Sequence, residues 1–202
     1  MGLFFKKLIL QFIIFLNFAF YAYTYVSAAT LEDTIKICAT CHGEDGNSTA
    51  QNIPKLAGRD PSYIVRELKD FSSGKRKSDI MAPIISNVDA SQFKDLGMYF
   101  GKQKPNSDKI TNPKAAEIGK GIYLDGDEDK GLPACAGCHE PSGVGNSRFP
   151  RLAGQHKEYL VGQLNKFKSD FHTQESARLM RETTKRMTEA QINDVSEYLS
   201  GL

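Results

Sequence analysis

Tryptophan is absent from this 202-residue chain, and cysteine occurs only four times. No charge of either sign is in surplus: 26 Lys and Arg stand against 24 Asp and Glu. That balance excludes both the basic footprint of a nucleic-acid binder and an acidic solvating tail. No segment sustains the period-two alternation of a half-buried strand, which leaves helices as the building material. Aromatics are scarce too, because the first 29 residues hold nine of the twenty. The remaining body carries equal numbers of acidic and basic residues and few large apolar side chains. Helical units of that composition are marginal alone, unless something other than side chains fills their centres.

The aromatic-rich start has its own logic. Lys6 and Lys7 precede an uncharged run from Leu8 through Leu31, and small residues follow at Val26-Ser27-Ala28-Ala29. A basic start, an apolar run and a small-residue cleavage site are the parts of an export signal. Residues 1–29 therefore read as a signal peptide, with an uncleaved membrane anchor as the alternative, since the run is long enough to span a bilayer. Either way the body lies outside the cytoplasm.

An exported chain invites disulfides, yet the four cysteines lie as Cys38-Ala39-Thr40-Cys41-His42 and Cys135-Ala136-Gly137-Cys138-His139. These are two complete copies of C-x-x-C-H with no cysteine left over. Two thiols separated by two residues of a helical turn reach the two vinyl groups of one haem, and the next imidazole meets the iron. Zinc gives no reason for a histidine after each pair. A redox dithiol belongs beside a βαβ pattern, and none is found here. The motifs predict two covalently bound haem c groups.

Laid over each other, the motifs expose a duplication. At an offset of 96, Pro54, Leu56-Ala57-Gly58, Tyr63, Leu68 and Phe71 meet Pro150, Leu152-Ala153-Gly154, Tyr159, Leu164 and Phe167. The expected plan is a first unit over 30–104, a linker over 105–112 and a second unit over 113–202. Each unit reads as helical: Asn112-Pro113 starts a helix with Ala115, Ile118 and Ile122 on one face, and Asp60-Pro61 starts another. Thr188-x-x-Gln191 is a capping box for the last helix. The predicted fold is all-α, two tandem helical bundles, each around a haem. The acidic run Asp125–Asp129 starts like a calcium loop but lacks its glycine and closing glutamate, so it reads as a solvated loop.

Register also selects the second axial ligand. At an offset of 99, Met81 meets Met180, each ahead of its unit's last helix, whereas Met98 and Met187 meet no methionine and read as core or staple residues. The predicted iron ligands are His42 with Met81 and His139 with Met180. His156 and His172 have Asp60 and Arg76 as counterparts and read as surface or haem-edge residues. Pro54 and Pro150 offer carbonyls to orient the haem histidines, and Arg76, with Lys75 and Lys77, suits a haem propionate.

At these residues the chain resembles the class I cytochromes c, specifically the diheme cytochrome c4 family, over about residues 31–201. The likeness rests on the paired C-x-x-C-H motifs, the two Leu-Ala-Gly stretches, the Met-Ala-Pro-Ile run at Met81 and Met-Arg at Met180. It implies two cytochrome c domains about a pseudo-twofold axis, with propionate edges facing across the interface and His/Met ligation at both irons. It further implies a periplasmic electron shuttle, not an enzyme, running from a quinol-oxidising cytochrome complex to a terminal cytochrome c oxidase. Such a carrier is a monomer or loosely membrane-associated and binds no nucleic acid. Glu140 departs from the family's glycine after the second motif. Two rivals stand beside the carrier: a diheme enzyme of peroxidase or thiosulfate-oxidising type, and a membrane-anchored cytochrome subunit of an oxidase or dehydrogenase.

Overall fold

A computed structural model describes residues 29–202, so most of the predicted leader lies outside the described residues. Among the described residues there is no strand, only an isolated bridge between Asp127 and Leu132. None of the described helices is long and apolar enough to cross a membrane. The helices of the first half are α1 (Leu31–His42), α2 (Pro61–Ser72), α3 (Met81–Ile85) and α4 (Phe93–Gly101). Those of the second are α5 (Pro113–Asp125), α6 (Ala136–His139), α7 (Lys157–Lys168), α8 (Arg178–Thr184) and α9 (Glu189–Ser200).

The helix starts follow from local chemistry. Asp60 accepts from the Ser62 and Tyr63 backbone N–H groups, and Pro61 occupies the first helical position. These groups have no partner inside the helix, so a side-chain acceptor stabilises it by about 1 kcal/mol. Asn112 caps α5 at the Ala115 N–H, and Thr188 with Gln191 closes the predicted capping box on α9. Asp127 caps a short 3-10 turn and pairs with Lys130 at 2.6 Å, which accounts for the acidic loop without a metal.

Each half buries its own apolar cluster. Ile64, Leu68, Ile85, Phe93, Leu96 and Phe100 form the first. Ile122, Tyr123, Leu132, Leu160, Met187, Ile192, Val195 and Leu199 form the second. The structure corrects the expected face of α5. Ile118 is 48 % exposed, and the buried positions are Ala116, Gly119, Ile122 and Tyr123. The reason lies at Gly119, where an added Cβ would come within 2.0 Å of the Asp194 carbonyl oxygen on α9. Backbone meets backbone at that crossing, so the helix turns its glycine inward and Ile118 outward. Replacing Gly119 by alanine gains helix propensity of about 1 kcal/mol but forces the crossing apart. The expected net loss is about 3 kcal/mol, read from denaturant unfolding of the holoprotein.

The two halves meet through reciprocal polar contacts. Arg59 donates from Nη1 to the Arg151 carbonyl at 3.0 Å. In return Gln155 Oε1 accepts from the Lys55 N–H at 3.0 Å, and Gln155 Nε2 donates to the Lys55 carbonyl at 3.1 Å. At the offset of 96, Arg59 corresponds to Gln155 and Lys55 to Arg151. Equivalent positions thus grip each other's backbone, the mark of a twofold relation between duplicated halves.

Candidate haem sites

Both C-x-x-C-H pentapeptides fold as helical turns, which puts residues three and four apart on one face. In the first half the motif is the last turn of α1, with Cys38 half-buried, Cys41 exposed and His42 buried. In the second half the expected equivalence is interrupted. Helix α5 ends at Asp125, and Cys135, Cys138 and His139 lie on or beside the separate short helix α6. The intervening loop lengthens the second half ahead of its motif.

The histidines are built alike. His42 Nδ1 lies 2.8 Å from the Pro54 carbonyl oxygen, and His139 Nδ1 lies 3.0 Å from that of Pro150. A carbonyl only accepts, so each Nδ1 carries the proton and each Nε2 keeps a lone pair suited to a metal. Burial lowers the pKa of both rings, against the opposing carbonyl bond, and so favours the neutral form. The cysteines are free of disulfides. Burial also raises the pKa of the Cys38 thiol and pushes that of Cys135 up to about 11. Among the described residues no group of three or more His, Cys, Asp and Glu is arranged to hold a metal ion.

Met81 opens α3, half-buried, and packs with Cys38 against the first apolar cluster. Met180 is half-buried within α8. Met187 is a core residue as expected, at 4 % exposure, but Met98 is not: it is 53 % exposed. Helix α4 buries Phe93, Leu96, Gly97 and Phe100, which leaves Met98 on the opposite side. Neither remaining histidine lies on the surface, since both His156 and His172 are buried.

Between the halves lies a cationic seam that sequence reasoning found only at Arg76. Arg76 binds Glu67 at 2.5 Å and reaches Tyr159 and Gln163 in the other half. Arg66 donates to the Ser147 and Arg148 carbonyls. Arg66 Nε and Arg151 Nε are buried without a hydrogen-bond partner. Arg66 Nε still lies 3.9 Å from Glu67 Oε1, which leaves Arg151 Nε as the buried donor with a use for an anion such as a haem carboxylate. Opposite them, His172 Nε2 donates to Gln163 Oε1 at 3.1 Å, the same oxygen that Arg76 uses. Burial, then the charges of Arg76 and Lys166, pull its pKa down to about 4. The donors of the seam would suit haem carboxylates.

Three comparisons bear on this geometry. The family model described as Cytochrome c matches residues 116–202. Cytochrome c4 of Pseudomonas aeruginosa is 33 % identical over 200 residues, covering 98 % of this chain and 99 % of that one. The cytochrome c4 structure from Acidithiobacillus ferrooxidans superposes with a TM-score of 0.77 at 35 % identity, over 83 % of this chain and 99 % of that one. The chain belongs to the cytochrome c4 family. It is a diheme c-type cytochrome with two covalently bound haem c groups, and its fold is two tandem cytochrome c domains. A thiosulfate dehydrogenase electron acceptor from Thiomonas intermedia is also similar, at 34 % identity over 81 % of this chain and 77 % of that one.

Within a cytochrome c4, one residue stands out as strained. Glu140, directly after the second motif, has φ 68° and ψ 149°, whereas its counterpart Gly43 has φ 82°. That backbone region is open to glycine and costly for a residue with a Cβ. Glu140→Gly is expected to stabilise the protein by about 1 kcal/mol after the added chain entropy of glycine is subtracted, seen as a raised Tm.

Proposed function

We propose that this cytochrome c4 is a one-electron carrier with no substrate chemistry of its own. Its two haem units span residues 30–104 and 113–202, with 105–112 as the linker. What supports the reading is the register match between the duplicated halves, which assigns Met81 to His42 and Met180 to His139 as ligand sets. Each bound haem supplies an Fe(III)/Fe(II) couple. The residues decide how that couple behaves. Cys38 and Cys41, and Cys135 and Cys138, tether the porphyrins. The Pro54 and Pro150 carbonyls fix the tautomer and ring direction of the two histidines. The thioethers of Met81 and Met180 are soft, neutral donors that favour the reduced metal and raise its potential. An iron held between a histidine and a methionine side chain would have no site left for oxygen or peroxide, and that chemistry would be disfavoured.

Export to the periplasm follows from the leader, and the partners are membrane redox complexes: a quinol-oxidising cytochrome complex as donor and a terminal cytochrome c oxidase as acceptor. Similarity to a thiosulfate dehydrogenase electron acceptor supports a second donor, a thiosulfate-oxidising enzyme, for the same carrier role. A redox titration followed by absorbance tests the proposal. It should give two c-type haems per chain, two one-electron transitions and no carbon monoxide binding to the reduced native protein. One haem, or an open iron, would overturn it.

A further inference from the structure

His156 sits at the meeting point of both halves and the linker, with its side chain 2 % exposed. Its Nδ1 lies 2.7 Å from Asp108 Oδ2, and its Nε2 lies 2.8 Å from the Ser48 carbonyl oxygen. Both neighbours are acceptors: a carboxylate and a peptide carbonyl. A neutral imidazole has one N–H and satisfies only one of them, turning a lone pair on the other at contact distance. Leaving a buried acceptor unpaired costs about 1–3 kcal/mol. Two N–H groups satisfy both.

The repeat shows that this placement is special. The counterpart of His156 is Asp60, which caps its own helix α2. His156 holds the same position before α7 but makes no side-chain cap bond there. A local cap has been exchanged for bonds to the first half and the linker. A cation before a helix N-terminus is opposed by the helix dipole, so the surrounding groups must offset that cost. Asp108 does so with one oxygen while its other takes Lys55 Nζ at 2.7 Å. Lys55 also donates to the Gly154 carbonyl at 2.9 Å, and Arg59 Nε donates to the Lys55 carbonyl. On α7 itself Lys157 is paired with Glu197, and Glu158 adds a negative charge to the first turn.

We propose that His156 is a positioning residue that donates from both ring nitrogens and, through Asp108 and the Ser48 carbonyl, fixes the two haem-bearing halves in one orientation for electron passage between them. The role rests on the carrier reading; the two donated bonds do not. Holoprotein labelled with ¹⁵N-histidine tests it by NMR: both ring nitrogens should carry a proton in the native protein. His156→Phe should raise the protease cleavage rate within residues 102–112 about tenfold, the factor of one lost buried hydrogen bond, and should slow electron exchange between the haems. Asp108→Asn, which keeps the shape and removes the charge, should raise the same cleavage rate. A ring with one proton, or cleavage and exchange unchanged in His156→Phe, would overturn the proposal. If His156→Phe does not fold, the nitrogen signals and Asp108→Asn decide. If the ring carries both protons and cleavage rises, yet no electron passes between the haems of the parent, the carrier reading fails and the joint stands.

Discussion

In Met180→Ala, one haem should lose potential on the order of 100 mV while the other keeps its native value. Met81→Ala should do the same to the first haem. A thioether donates weakly and stabilises the electron-rich metal, so water or a harder side chain in its place favours the oxidised form. Three readouts should move together in either variant. The sulfur-to-iron charge-transfer band should fall by half, one equivalent of carbon monoxide should bind on reduction, and only one of the two titration waves should shift. The other methionines are the controls. Met98 is exposed, so Met98→Ala should leave spectrum and stability alone. Met187 is core, so Met187→Ala should cost about 2–5 kcal/mol without moving either wave. Unchanged spectra in both Met81→Ala and Met180→Ala would refute the ligand assignment.

Removing the Glu197 carboxylate should cost much of the stability, and in a pH-dependent way. Its side chain is 1 % exposed. Oε1 accepts from the Thr111 N–H, the Thr111 hydroxyl and the Asn112 N–H, while Oε2 pairs with Lys157 Nζ at 2.8 Å. One carboxylate on α9 thus holds the end of the linker, the start of α5 and the start of α7. Burial pushes its pKa up, but the bonds from Lys157, Asn112 and Thr111 outweigh it and bring the value down to about 2 from 4.5. A depressed carboxylate stabilises the fold fully above its unfolded value and ceases to do so as pH falls towards the folded one. The acid limb of the stability curve should therefore run from about pH 4.5 to about pH 2, with an amplitude on the order of 3 kcal/mol. Glu197→Gln should lose that much at neutral pH and flatten the limb. Equal acid sensitivity in variant and parent would refute the role.

Legibility in the sequence divided along chemical lines. The C-x-x-C-H motifs, the repeat register and the helix caps at Asp60, Asn112 and Thr188 were readable, because each depends on a few residues at fixed spacing. The proline carbonyls were readable for the same reason once a histidine needed orienting. The face of α5 was not, since apolar periodicity weighs Ile118 and ignores a glycine, while the crossing with α9 is decided by Gly119. Met98 was misjudged as core for a related reason: an apolar side chain in a helix is counted as buried until the packing face is known. The seam between the halves was hardest to read. It is built from Lys55, Arg59, Arg66, Gln155 and His156, and burial of polar residues is set by partners distant in sequence. Alignment of the halves marked Arg59 and Gln155 as equivalent, but only their reciprocal bonds gave the equivalence a purpose.

Those reciprocal bonds join unlike groups, a guanidinium on one side and an amide on the other. Two first halves would set four cationic side chains from positions 55 and 59 against one another, and two second halves would lack the arginine at position 59. Once the ancestral copies diverged this way, like no longer matched like. The two lobes on one tether are thus complementary and not interchangeable, each offering a different side chain to the other's backbone.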